Sequence, residues 1–214
     1  MTKLSLKGKH EAGSVLQSAA ATLSLGAGDV KLKASCTDTT FINGPSLTGV
    51  SIGVEKPGLF IIDYDLPSKA ARFQFMSSTK LAGKQIKLTY IHPQKRNATL
   101  LEGSFALDPR NKLTAKYSFA SEKAHLKYSY VHGSDTTLEP SYDFGTNSWN
   151  FSASRNFSGG NALKAVYESS HRTLGLEFSG DDKETGPFKV SATVHVAENR
   201  VSKLILEKTW NYEL

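Results

Sequence analysis

The sequence predicts an all-β protein: an antiparallel transmembrane β-barrel of about 12–16 strands around a water-filled lumen. Three observations carry this expectation. Apolar residues recur at every second position in segment after segment, the period of a two-faced strand, because successive side chains leave opposite faces of the backbone. Short polar or Gly-rich turns separate these segments, and no helical period intervenes. One phase of the alternation gathers the aromatic residues and the other gathers charge. A sheet that meets two different environments along its whole length is what a closed barrel in lipid requires.

The elements follow in order. Segment 3–9 carries Leu4 and Leu6 in its apolar phase, and 18–25 carries Ala19, Ala21, Leu23 and Leu25 before a turn over Gly26 to Asp29. Segment 30–37 carries Val30, Leu32, Ala34 and Cys36, and 47–55 carries Val50, Ile52 and Val54. Pro57-Gly58 makes a tight turn into 59–66, with Phe60, Ile62, Tyr64 and Leu66. Segments 70–78 (Ala71, Phe73, Phe75), 85–92 (Ile86, Leu88, Tyr90) and 98–107 (Leu101, Phe105, Leu107) come next. The clearest alternation lies at 112–119, with Leu113, Ala115, Tyr117 and Phe119, and at 124–132, with Ala124, Leu126, Tyr128 and Tyr130.

Segment 137–142 contains Pro140, which has no N–H to give a ladder. Segments 148–155 (Trp149, Phe151, Ala153), 162–169 (Leu163, Ala165, Tyr167) and 173–179 (Leu174, Leu176, Phe178) restore the pattern. The last two are 187–197, with Phe188, Val190, Ala192, Val194 and Val196, and 202–214, with Leu204, Leu206, Trp210, Tyr212 and Leu214. Lys208 falls in the apolar phase of the final segment, which calls for a bulge there or a position at the membrane interface.

A spanning strand needs about 9–11 residues, so this length holds one barrel domain, 1–214, with an even strand count. Lys and Arg number 26 against 20 Asp and Glu, a formal net charge of +6. The charges are spread along strands, and the densest run, Lys95-Arg96, reads as a solvated turn rather than a nucleic-acid stripe. The single cysteine, Cys36, has no internal partner, which points to a reducing compartment for synthesis. The start, MTKLSLKGKHE, has no apolar core of a secretory signal, and no apolar run reaches about 18 residues. A spanning barrel hides its hydrophobicity in alternation, so that absence leaves the membrane reading intact.

Aromatic side chains gathered in the apolar phase near strand ends form interfacial girdles in such barrels. The opposite phase supplies the expected pore lining: Lys31, Lys33, Arg72, Lys87, Glu102, Lys112, Lys116, Lys127, Lys164, Glu168, Glu177, Lys189 and Lys203. Mixed signs along a pore predict weak selectivity, with phosphorylated and carboxylated metabolites able to pass. Membrane lipid and small anionic or zwitterionic solutes are the expected partners, nucleic acid is not, and homo-oligomerisation stays open. No catalytic motif appears, and His92, His125, His132 and His195 show no metal-ligand spacing, so no catalytic, cofactor-binding or metal residue is expected. Three Asn-x-Ser/Thr sequons, at Asn97, Asn150 and Asn156, read as coincidence without a secretory signal.

Two other readings fit the same alternation. A soluble β-barrel would turn the apolar phase inward and hold a small apolar ligand. A membrane-embedded enzyme acting on lipids would bring Ser, His and a carboxylate together at one rim.

Several stretches carry a likeness: GPSLTGVSIGVEKPGLFIIDYDLP from Gly44 to Pro67, RFQFM from Arg72 to Met76, LTYIHP from Leu88 to Pro93, and LKYSYVHGSDTTLEPSYDF from Leu126 to Phe144. With the terminal KLILEKTWNYEL from Lys203 to Leu214, they make the chain resemble the plastid outer-envelope pore proteins of plants, in the solute-channel class of similar mass. The resemblance implies an integral β-barrel of the outer envelope of chloroplasts and non-green plastids, without a cleavable targeting sequence. It further implies a high-conductance, weakly selective pore for triose phosphates, phosphate, sugars, dicarboxylates, amino acids and nucleotides. It brings no cofactor and no motif of functional residues.

Overall fold

The computed structural model describes residues 2–13, 17–42, 44, 46–81, 83–182, 186–198 and 200–213, the Gln17 side chain apart. The strands in chain order are β1 (Thr2–Glu11), β2 (Gln17–Ala27), β3 (Val30–Thr37), β4 (Ser51–Lys56), β5 (Phe60–Asp65), β6 (Ala70–Leu81), β7 (Lys84–Pro93) and β8 (Leu100–Ala106). They continue as β9 (Asn111–Ser118), β10 (Lys123–His132), β11 (Thr136–Asp143), β12 (Ser148–Asn156), β13 (Ala162–Glu168), β14 (Thr173–Asp182), β15 (Gly186–His195) and β16 (Arg200–Glu213). Each pairs antiparallel with its sequence neighbours, and β1 closes the sheet against β16, with Leu6 opposite Trp210. Closure leaves no strand edge, so the ladders hold the backbone polar groups without help from water. A ten-residue strand rises about 33 Å and, tilted about 40°, spans the ~25 Å apolar band of a membrane barrel.

Register keeps the alternation in phase around the circumference. Leu113 faces Tyr128, Leu126 faces Tyr142 and Tyr142 faces Trp149, while Thr114 faces Lys127 and Lys127 faces Ser141 in the other phase. Among the described residues no hydrophobic side chain is buried. The large side chains of the apolar phase are instead exposed: Leu204, Leu206 and Trp210 on β16 stand at 44%, 50% and 42%. Ile205, between two of them but in the polar phase, is half-buried. A convex face is more open than a concave one, so this difference puts the apolar phase on the outside of the barrel. Every strand from β5 to β16 carries an aromatic residue in that phase, and β1 to β4 carry none.

Each of the sixteen expected segments holds a strand, with ends displaced by a few residues. The largest displacement is at 47–55, where β4 starts only at Ser51. Gly49 adopts φ +76°, and a Cβ there would lie 2.0 Å from Thr37 Oγ1, so the backbone turns against Thr37 at the end of β3 and Thr39 just beyond it before the ladder begins. The segment 137–142 lengthens to β11 despite Pro140. Pairing with β10 is kept at His125–Lys127 and at Tyr130–His132, but not at Tyr128 and Ser129 between them, where the sheet passes Pro140. The bulge anticipated near Lys208 lies instead between Thr193 and Val194, opposite Ser202. Lys208 stays in the apolar phase beside Phe188, and its Nζ donates 2.8 Å to the Gly186 carbonyl at the strand end. A long side chain that reaches the end of its neighbour strand satisfies the interface alternative by snorkelling.

The connection between β3 and β4 is long, but the turn after β8 is short and bonded to itself. In the turn after β8, the Asp108 carboxylate accepts from the backbone N–H groups of Arg110 and Asn111, each at 2.8 Å, and from the Asn111 side chain. The Asn111 amide above all, then the Arg110 N–H, holds the Asp108 carboxyl below the usual carboxylate range.

Candidate functional site

The polar phase is built by the same alternation that builds the wall. All thirteen charged residues singled out from the sequence fall in it. On β3, Lys31 stands opposite Glu55, and Lys33, opposite Gly53, pairs with the Glu55 carboxylate. Arg72 on β6 faces Asp63, with Nη1 3.3 Å from the carboxylate. Lys87 on β7 faces Ser104 of β8. Glu102 on β8 faces Lys116 on β9, and Lys116 faces His125 on β10. Lys112 faces Ser129, and Lys127 lies 3.1 Å from Glu139.

On the other side of the barrel, Lys164 of β13 faces Glu177 of β14, and Glu168 faces Asn150 and Thr173. Glu177 holds Lys189 at 2.9 Å, and Lys203 reaches Glu11 at 3.3 Å. Glu207 collects Lys7 at 2.7 Å and Lys9 at 3.9 Å. These cross-strand pairs are partly solvated, and each contributes on the order of 0–1 kcal/mol. Their main consequence is local neutrality, since a lysine held by a carboxylate presents little net charge.

Beyond the thirteen, this set includes Lys7, Lys9, Glu55, Asp63 and Glu207, which the same alternation puts in the polar phase, and also Glu139 and Glu11. Glu139 sits beside Pro140, but its alternation with Thr137 and Ser141 is the signal that places it in the polar phase. Glu11 lies just past the expected end of the first segment and pairs with Ile205 in register.

Among the described residues, cavities open on the polar phase against two parts of the wall. One, of about 550 Å³, lies against β8–β11 and is lined by Glu102, Lys112, Lys116, Lys123, Lys127 and Asp143 among others, with His125. The second, of about 400 Å³, lies against β14–β16 and β1; its charged residues are Lys7, Lys189, Glu177, Asp181 and Glu207. The histidines do not converge, and no group of three metal-ligating side chains occurs among the described residues.

The barrel and its charged phase can be set beside known proteins. The family model for outer envelope pore protein 24 matches residues 2–213. The chain belongs to this family. The chloroplastic outer envelope pore protein 24B of Arabidopsis thaliana is 43% identical over 213 residues, covering 99% of both chains. The chloroplastic outer envelope pore protein 24 of Oryza sativa subsp. indica is 41% identical over 223 residues, covering 99% of this chain and 100% of its own. Among solved structures, two mutants of Rh. blastica porin align with TM-scores of 0.62 and 0.63 at 9% identity, each over 99% of both chains. At that identity the likeness is one of fold, a porin-like barrel. Family and fold together make this member of the outer envelope pore protein 24 family a channel-type barrel.

Proposed function

We propose that the chain is a passive diffusion pore of the plastid outer envelope. Its polar phase faces a water-filled lumen and its apolar phase faces lipid. One observation carries the reading: a sixteen-stranded closed barrel without a buried hydrophobic side chain among its described residues. A soluble barrel holding an apolar ligand needs the opposite arrangement, with Leu204, Leu206 and Trp210 sheltered inside; these side chains are exposed. At about sixteen strands the interior is too wide for side chains to fill, so water occupies it.

The thirteen charged residues then line the pore together with Glu139 and Glu11. Mixed and largely paired charges favour weak selectivity, which suits small phosphorylated, carboxylated and zwitterionic metabolites, sugars and nucleotides. Transport down a gradient through such a lumen needs no cofactor and no catalytic step. Self-association belongs to the same proposal, through the arc β1–β4. There the apolar phase lacks aromatic anchors and presents Gly8, Ala19, Ala21, Ala34 and Cys36, small residues that let backbones approach closely in lipid.

The test is planar-bilayer recording of refolded protein whose barrel has been verified by circular dichroism. Discrete, long-lived conductance steps are expected. Correctly folded protein that inserts and conducts nothing would overturn the reading.

A further inference from the structure

The lysines of the polar phase are not equivalent. On the side formed by β14–β16 and β1, Lys7, Lys189 and Lys203 are each within 3.3 Å of a carboxylate, and the cavity there has two lysines against three acidic residues. The cavity against β8–β11 reverses this balance, with four lysines against two acidic residues. Lys127 is held by Glu139, but Lys112, Lys116 and Lys123 form no ion pair with a described residue. Of the two acids, Asp143 is turned toward its own hairpin, accepting from the N–H groups of Gly145 at 2.7 Å and Thr146 at 3.0 Å. Glu102 alone faces the lysines, opposite Lys116.

Register explains the concentration. Lys112 and Lys116 are four residues apart on β9, and Lys123 and Lys127 are four apart on β10, so both pairs point to the same face. His125 stands directly opposite Lys116, which puts Lys123 and Lys127 on the diagonals, about 7–8 Å away. Lys116 thus has Lys123 and Lys127 within reach of flexible stems around one concave volume of about 550 Å³, and Lys112 lines the same cavity about 13 Å further along β9. A phosphate-sized anion fits that space and can be contacted by several ammonium groups at once, each contact a charge-assisted hydrogen bond.

Resting on the pore reading above, we propose that the β9–β10 wall is an anion-binding station of the lumen. Lys112, Lys116 and Lys123 hold phosphate-bearing solutes there transiently, while the paired lysines opposite do not. Passage of such solutes is then saturable, in a pore that is otherwise a weakly selective water-filled channel. Conduction through a bound site requires that release stay fast, which the solvated, flexible lysines allow.

The experiment uses the refolded full chain in planar bilayers with dilute potassium chloride, where screening is weak. Inorganic phosphate is titrated in and the chloride current is read. Saturable reduction of that current is expected for the unaltered protein. In the variant Lys112→Gln, Lys116→Gln, Lys123→Gln the half-saturating phosphate concentration is expected to rise roughly tenfold or more, as three cations leave one cavity wall. The control variant Lys7→Gln, Glu207→Gln removes an ion pair as a unit and should stay within about twofold of the unaltered protein. If the triple variant does not refold, Lys116→Gln alone should still raise the value roughly threefold. An unchanged phosphate titration in folded, conducting variants overturns the proposal, as does an equal loss in the control. A chain that forms no channels at all is a separate outcome that removes the pore reading itself.

Discussion

Replacing Tyr128 by lysine asks directly which medium the apolar phase touches. Tyr128 is the sixth of ten residues in β10, four positions from His132 at one end, or about 13 Å along the strand. With the strand tilted about 40°, its Cα lies about 10 Å below that end, close to the middle of a ~25 Å band. The phenol is 37% exposed on the outer surface and donates its hydroxyl to Asn111 Oδ1. A lysine at the midplane of a membrane barrel costs about 2–4 kcal/mol. Snorkelling along the path that the phenol takes toward Asn111 would place the value in the lower half of that range.

The neighbouring change Lys127→Glu supplies the comparison. Lys127 is on the polar phase, 36% exposed at its side chain, and its partner is Glu139 at 3.1 Å. Losing a solvated pair and creating a screened like-charge contact should cost no more than about 1 kcal/mol, while shifting ion preference toward cations. The assay is urea-induced unfolding from lipid vesicles, followed by tryptophan fluorescence, with reversal potentials measured on the same preparations. Tyr128→Lys is expected to lower stability more than Lys127→Glu and to leave reversal potential nearly unchanged. The opposite ranking would mean that the two faces are assigned the wrong way round.

Three further outcomes are expected. Glu139→Gln should free Lys127 and raise the anion-to-cation permeability ratio, read from reversal potentials in a salt gradient, with folding unaffected. Gly186→Ala should destabilise the barrel by about 1–3 kcal/mol, because Gly186 sits at φ +82° and a Cβ would lie 2.5 Å from the Thr209 carbonyl oxygen; equilibrium unfolding checks this. Asp108 titrates below the usual range in the folded protein, so its contribution is present above about pH 3.9 and lost as pH falls through the lower folded value. The stability difference between the unaltered protein and Asp108→Asn should therefore be largest near neutral pH and vanish in strong acid.

Much of the wall could be read from one chain because a strand's period is two and each face has one environment. KLTAKYSFA and AHLKYSYVH declare their faces without any neighbour present. Lys208 and Glu139 were harder for physical reasons. Lys208 breaks the period, and only its contact with the Gly186 carbonyl shows that it ends beside a strand terminus. Glu139 is flanked by Pro140, whose missing N–H weakens any single-segment argument, yet ladders on both sides hold the strand in place. The late start of β4 depended on Thr37 packing against Gly49, a contact twelve residues apart that periodicity cannot register.

The amino-acid order alone determined that the chain forms strands with one greasy and one charged side, because side-chain direction follows from backbone geometry residue by residue. It also determined which lysines and carboxylates share a side. Tertiary structure decided the count of sixteen, the closure of β1 on β16, and which charges neutralise one another. Partners such as Lys7 and Glu207 meet only when the two ends of the chain are brought together, and that distance is set by strand register and curvature rather than by any local pattern.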